Sequence, residues 1–301
     1  MPIALVNGRV LTEQGFQDDL AVIVEGERIA ALVRPDDPRL TDADRHDLEG
    51  RYLLPGFIDT QVNGGGGVLF NDAPTVDTIR RIGEAHRRFG TTGFLPTLIS
   101  DDFEVMRAAI AAVNQAIDEG VPGVLGIHLE GPYLAPARKG VHDPAKFRDL
   151  DARELAMLAA EHKGVGLITL APDRVPPATI GELVAAGWIV NAGHTAADYA
   201  TTRAALAAGV RGFTHLFNAM TPLNSREPGV VGAALEDPHS WCGLIVDGHH
   251  VHPASLRVAI AAKAKGKMIL VTDAMPPVGS DNPHYVLKGE TITMRDGVCQ
   301  T

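Results

Sequence analysis

Four short apolar runs in this chain each deliver one chemically active side chain and then stop. Val124-Leu125-Gly126-Ile127 leads through His128-Leu129 to Glu130 and breaks at Gly131-Pro132. Trp188-Ile189-Val190 continues to His194, Gly212-Phe213-Thr214 to His215, and Met268-Ile269-Leu270-Val271 through Thr272 to Asp273. Runs of this length bounded by Gly or Pro read as buried strands. Strand tips carrying a carboxylate, two imidazoles and a second carboxylate meet only if the strands are parallel in one sheet or barrel, since antiparallel neighbours would send them to opposite ends.

The chain between these runs fits that demand. Phe57–Asn63 is a strand entering the glycine loop 64–67, and Thr75 caps a helical pattern with Val76, Ile79, Ile82 and Phe89. Strand 93–97 precedes a helix whose Phe103, Met106, Ile110, Val113 and Ile117 recur at three- and four-residue spacing, stopped by Gly120 and Pro122. Glu130 ends strand three. A helix from Leu155, strand Leu167–Ala171, a helix over Ile180–Ala186 and an Ala-rich helix over 198–208 closed by Gly209 follow. Strands end at His194 and His215, strand seven covers Cys242–Asp247, a helix covers Leu256–Ala264, and strand eight ends at Asp273. Eight parallel-type strands with helices between most of them predict a (β/α)₈ TIM-type barrel over residues 55–275.

Residues 1–54 differ in style. Ile3–Val6, Leu20–Val24, Arg28–Val33 and Tyr52–Leu54 alternate with turns, and Glu25-Gly26-Glu27 is a hairpin signal. They predict the first part of a small β-sandwich-like domain, with Pro35–Glu49 as an exposed loop. Residues 276–301, with strands at Tyr285–Leu287 and Thr291–Met294, read as an incomplete return to that domain. No helical pattern follows strand eight, so the chain is expected to be C-terminally truncated.

Composition excludes several functions. Of 301 residues, 45% are hydrophobic and 21% charged, enough for a large core, and the net charge of −10 opposes nucleic-acid or anionic-membrane binding. Cys242 and Cys299 are the only cysteines, so neither a disulfide framework nor a Cys-rich zinc module is available. No signal peptide or apolar run of spanning length occurs, and a cytoplasmic protein is expected.

A carboxylate with two imidazoles is a three-ligand set suited to zinc, leaving a fourth position for water, which ionises near pH ~7 at such an ion. Asp273 on strand eight could take the water proton and pass it to a leaving group. A lone histidine at a strand end is more often structural, and His46, His86, His162 and His239 are expected at the surface. The metal reading rests on all four groups falling at C-terminal strand ends, where barrel active sites lie.

Pro55-Gly56-Phe57-Ile58-Asp59, His128–Pro132, Asn191–Thr195, Thr214–Met220, Asp247–His250 and Val271–Ala274 occur in the order and form that resemble the N-acetylglucosamine-6-phosphate deacetylase family of the amidohydrolase superfamily. The Leu-Glu-Gly-Pro and His-Leu-Phe-Asn-Ala-Met segments are specific, whereas the Pro-Gly-Phe-Ile-Asp start is shared by many amidohydrolases. The resemblance implies one divalent ion per chain, zinc, on Glu130, His194 and His215, with Asp273 as general base and acid. It implies that His142 orients the substrate carbonyl or sugar hydroxyls and that Asn218, Ala219, Arg226 and His250 bind a sugar phosphate. Arg226 offers a planar fork to phosphate oxygens, though Arg226-Glu227 alone would read as a solvated pair. Gln61 and Asn63 stand where many amidohydrolases carry His-x-His for a second ion. They are expected to be a remnant that bonds water or substrate. The implied reaction is metal-dependent deacetylation of N-acetylglucosamine 6-phosphate to glucosamine 6-phosphate and acetate, in amino-sugar catabolism, by a homodimer. Alternatives are another amidohydrolase reaction, on a cyclic amide or N-acyl amino acid, and a non-catalytic sugar-phosphate-binding barrel.

Overall fold

The protein is described here from a computed structural model covering residues 1–160 and 162–300. Its chain divides into two compact units, Met1–Gly56 and Phe57–Thr301.

In the second unit the eight expected strands form one parallel sheet in sequence order: β1 (Phe57–Val62), β2 (Thr91–Ile99), β3 (Gly126–Glu130), β4 (Val165–Leu170), β5 (Ile189–Ala192), β6 (Gly212–Phe213), β7 (Trp241–Leu244) and β8 (Met268–Leu270). Helices α1 (Val76–Arg87), α2 (Phe103–Asp118), α3 (Ala152–Leu158), α4 (Pro177–Ala185), α5 (Tyr199–Ala208), α6 (Gly229–Glu236) and α7 (Pro253–Ala262) lie between them. This is the mixed α/β architecture expected, a nearly closed eight-stranded parallel barrel with separate small sheets.

Local chemistry explains the helices. Thr75 caps α1 by accepting from the Thr78 amide, and Ile79, Ile82 and His86 turn one buried face inward. Met106, Ala109, Val113 and Ala116 do the same for α2. Each large apolar side chain fully withdrawn from water in this way contributes about 1.5–3 kcal/mol. Gly209 ends α5 in left-handed backbone, φ 117°, which a side chain would resist. Helix α6 has no signal in the sequence, because Gly229-Val230-Val231-Gly232 carries two helix-weakening glycines and two β-branched residues. Burial of the whole segment Gly229–Leu235 overrides that propensity.

The seam between β8 and β1 is closed without a regular ladder. The Asp59 carboxylate accepts from the Thr272 amide at 3.2 Å, from the Thr272 hydroxyl at 2.6 Å and from the Gln61 amide at 3.1 Å. Beyond it the Asp273 amide donates to the Gln61 carbonyl at 2.9 Å, and the Asn63 and Gly64 amides donate to the Ala274 carbonyl. No helix follows β8 among the described residues. Leu270, Phe57, Ile58 and Val258 are exposed, and the chain continues into an antiparallel three-stranded sheet of His284–Leu287, Glu290–Arg295 and Val298–Gln300.

The first unit holds a four-stranded sheet with strand order Arg28–Val33, Ala21–Glu25, Ile3–Val6, Asp44–Asp47. A three-stranded sheet runs Gly15–Gln17, Arg9–Thr12, Tyr52–Leu53. Its core is Ala4, Val6, Ala21, Ile23, Val33 and Leu40. Residues 35–49 are therefore not simply a loop. Asp44–Asp47 pairs parallel to Ile3–Val6, and Leu40 in a short 3₁₀ turn enters the core. The side chains of that strand are all exposed and polar, so no alternation announced it.

Candidate active site

Glu130 is the last residue of β3, and its side chain is buried over the barrel mouth. His194, His215 and Asp273 lie two, two and three residues past the ends of β5, β6 and β8. Each has left-handed backbone, with φ of 47°, 35° and 53°. Such conformations are unfavourable for residues with a Cβ and persist where the surroundings impose them, often at functional sites.

The result is convergence. Glu130 Oε1 lies 3.0 Å from His215 Nε2 and 3.2 Å from His194 Nε2, and the two Nε2 atoms are 3.0 Å apart. Three donors bound tetrahedrally at zinc–nitrogen and zinc–oxygen lengths would be separated by ~3.3 Å. Two imidazole nitrogens and a carboxylate oxygen this close need a proton or a metal cation among them. The donors also form the one group of three or more metal-ligating side chains found among the described residues. The set therefore fits a divalent ion. His194 is prepared for the role, since its Nδ1–H donates to the Arg138 carbonyl at 2.8 Å and leaves Nε2 as the donor atom. Burial pushes the Glu130 carboxyl up, but bonds from His194 and His215 outweigh it and hold it well below the usual carboxylate range. Burial pushes His215 down, and Glu130 more than reverses that.

The remaining side chains around the triad are set by hydrogen bonds. Gln61 Nε2 donates to Glu130 Oε1 at 3.0 Å, and Asn63 Nδ2 donates to Asp273 Oδ1 at 2.7 Å. Burial, with the nearby Glu130 charge, raises the Asp273 carboxyl above its ordinary value. His142 is buried, and its Nδ1 accepts from the Ser100 amide at 3.2 Å and from the Ser100 hydroxyl at 2.8 Å. An amide can only donate, so the neutral ring carries its proton on Nε2, which lies 3.9 Å from Glu130 Oε2. Burial and then the neighbouring His194 lower its pKa to about 3, so the ring stays neutral.

Gln61, Asn63, Glu130, His142, His194, His215 and Asp273 are thus joined in one site. Asn218 is tied to it through its amide, which donates to the His215 carbonyl at 3.3 Å, and the Ala219 carbonyl accepts from Thr195 beside His194. Arg226 and His250 are not among the converging groups. Arg226 is exposed without a hydrogen-bonding partner among the described residues, and exposed His250 pairs with Asp247 at 2.6 Å. His86, expected at the surface, is buried and its ring bonds the Gly64 carbonyl at 2.9 Å. Its spacing from Ile79 and Ile82 was the available signal. Ser100 and the chain His128–Thr169–Thr214, with contacts of 2.7 and 2.6 Å beneath the triad, were not foreseen. Threonine in a strand reads as an ordinary β-former.

Residues 52–297 match the amidohydrolase family. The chain belongs to that family. Relatives are similar over nearly all of its length. The N-acetylgalactosamine-6-phosphate deacetylase of Shewanella sp. (strain ANA-3) is 47% identical over 96% of this chain and 75% of its own. The N-acetylglucosamine-6-phosphate deacetylase of Haemophilus influenzae is 37% identical over 99% of this chain and 78% of its own. The crystal structure of N-acetylglucosamine-6-phosphate deacetylase from Pasteurella multocida superposes with a TM-score of 0.94 at 35% identity, covering 99% of this chain and 78% of that one. This amidohydrolase is accordingly a hydrolase of a metal-dependent family, and no helix among its described residues is long and apolar enough to cross a membrane.

Proposed function

We propose that this amidohydrolase removes the acetyl group from an N-acetylhexosamine 6-phosphate, giving acetate and the amino-sugar phosphate, in amino-sugar catabolism. N-Acetylglucosamine 6-phosphate is the substrate expected from the sequence, and the 47% identity to the Shewanella enzyme sets its galactosamine epimer beside it. The observation that carries the reading is the convergence of Glu130, His194 and His215 at separations of 3.0–3.2 Å. One divalent ion, zinc, would be held by those three residues, supplying positive charge for the acetyl oxygen and making water nucleophilic near neutral pH.

The side chains do the rest. His142 Nε2–H donates to the acetyl oxygen as it gains negative charge. Asp273, held by Asn63, takes one proton from the attacking water and returns it to the departing nitrogen, so that acetic acid and the amine leave with the carboxylate restored, and the acid gives up the water's second proton to become acetate. Gln61 and Asn63 spend their amide hydrogens on Glu130 and Asp273, which supports a single ion rather than a second one at those positions. The phosphate would lie along Asn218, the Ala219 backbone, Arg226 and His250. In support, residues 215, 217 and 219 all have positive φ, a backbone alternation that can turn amides towards an anion. Arg226, exposed and without a partner among the described residues, can close on it. We read the assembly as a cytoplasmic homodimer, for which light scattering is the check.

The test compares both epimers, with and without the 6-phosphate, in wild type and Arg226→Ala. A lost charge-assisted contact should reduce kcat/KM for the phosphorylated sugar by about 1.5–3 kcal/mol and leave the unphosphorylated sugar unaffected. An equal change for both would remove Arg226 from phosphate binding. Absence of deacetylation of either phosphorylated epimer by zinc-loaded wild type would overturn the assignment.

A further inference from the structure

Strand β4 carries no member of the triad, yet it stands between the strands that lead to Glu130 and His194. Its polar contribution is Thr169, buried at the centre of a chain of hydrogen-bonded side chains beneath the triad. Thr169 Oγ1 lies 2.7 Å from His128 Nε2 on one side and 2.6 Å from Thr214 Oγ1 on the other. His128 Nδ1 extends the chain to Thr97 Oγ1 at 3.3 Å, and the Val62 amide donates to the same Thr97 oxygen at 2.8 Å. That end sets the order of the protons. The Thr97 hydroxyl donates to the Leu95 carbonyl at 3.1 Å, so a neutral His128 ring donates to Thr97 from Nδ1. Its bare Nε2 then accepts from the Thr169 hydroxyl, and Thr169 accepts from Thr214.

This chain meets all three segments that hold the triad. His128 stands two residues before Glu130, and Thr214 immediately precedes His215. Gly193, immediately before His194, is the gap through which Thr169 and Thr214 meet. A Cβ there would stand 2.7 Å from Thr169 Cγ2 and 3.1 Å from Thr214 Cβ. Backbone pairing holds these segments less firmly, since β5 and β6 share only two residue pairs and both histidines lie beyond their strand ends. A metal site binds more tightly when its donors already stand together, because less ordering is left to be done on binding.

We propose that Thr169 is a positioning residue for the triad. Its hydroxyl ties the segment of Glu130, through His128, to the segment of His215, through Thr214, and so keeps the donors together before an ion arrives. The inference rests on the metal reading of the triad, and the two fail differently. Wild type that binds no zinc ends the metal reading, and this proposal with it. Wild type that binds zinc, with Thr169→Val binding it equally well, ends this proposal alone.

Thr169→Val replaces the hydroxyl by a methyl of similar size and parts His128 from Thr214. Thr169→Ser keeps the hydroxyl and removes only the methyl that faces Gly193. Zinc affinity would be measured on the 301-residue chain by competition with a chelator, well below the thermal midpoint of each zinc-free protein. Thr169→Val should bind zinc about 3–10-fold more weakly, a smaller loss than the roughly 10–100-fold that follows removal of a ligand's direct partner. Thr169→Ser should bind as wild type does. A bond with a merely structural role would lower the zinc-free midpoint and leave the zinc dissociation constant unchanged, which overturns the proposal. Equal weakening in both variants would assign the effect to packing rather than to the hydroxyl, and overturns it as well. Should Thr169→Val fail to fold, Thr214→Val breaks only the last link and leaves His128 Nε2 matched. Weaker zinc binding there supports the proposal, and unchanged binding rejects it.

Discussion

The two walls of the barrel reach the site by different means. On one, β2, β3 and β4 are nine, five and six residues long, and Glu130 is simply the last residue of a fully buried strand. On the other, β5, β6, β7 and β8 have four, two, four and three residues, and three of the four key side chains leave from left-handed backbone beyond the strand ends. A long ladder places one group firmly but can aim it only along the pleat. A ladder that stops early leaves the following residues free to swing inward, at a conformational cost that the neighbours must cover. The Glu130 carboxylate thus stands on the long-stranded wall, while the His194 and His215 imidazoles and the Asp273 carboxylate stand on the short-stranded one.

The largest expected effect strikes the short-stranded wall. Asp273→Asn keeps the shape and the Asn63 contact but removes the proton acceptor, so kcat should fall by about 10²–10⁴ with metal content unchanged. Steady-state kinetics with metal analysis is the check, and near-normal kcat would remove Asp273 from the chemistry. The same residue sets the acidic limb of kcat/KM. Burial raises its pKa, so it is still protonated, and unable to accept a proton, at pH values where an ordinary carboxyl of pKa about 3.9 is ionised. Activity should therefore appear as pH rises through a value above that reference, and a limb at or below it would contradict the burial argument.

A smaller effect belongs to the join between the walls. In Asp59→Asn, three donors from Thr272 and Gln61 face one oxygen and one NH₂ group instead of a carboxylate. Stability in denaturant should drop by about 1–3 kcal/mol, the usual consequence of a buried donor left unmatched. An unchanged midpoint would mean that other contacts hold the seam. The smallest change tests the conformational cost directly. Ala219 has φ of 52°, where glycine is unstrained, so Ala219→Gly should stabilise the fold by less than about 1 kcal/mol, with its entropy loss offsetting part of the relief. Activity should persist, because the backbone rather than the methyl group is the contributing part. A clear loss of stability would show that the short wall is not strained there.

The same contrast explains what could be read from the sequence. Glu130 was legible as a strand end because Gly-Pro follows it at once, and the fully buried run Gly126–Glu130 forms as expected. His194, His215 and Asp273 are legible as chemical groups, but their runs carry a strand pattern right up to them, whereas the strands stop two or three residues short. A tight inward turn made by histidine or aspartate has no glycine to announce it. His142 followed from the resemblance, but its proton position did not, since that depends on Ser100, 42 residues earlier and meaningful only once β2 and β3 are adjacent. The Asp59 seam was hidden for the same reason, and the chain gave no local cue that a carboxylate would stand in for a ladder.

That seam has a consequence for the order in which the protein is made. Asp59 and Thr272 are 213 residues apart, and Asn63 and Asp273 are 210 apart, so their contacts are among the last that a growing chain can form. Synthesis lays down Glu130, His194 and His215 well before residue 273 has been added. A nascent chain can therefore carry Glu130, His194 and His215 while still lacking Asp273. The Asp59 and Asn63 contacts can close only when the last barrel strand meets the first.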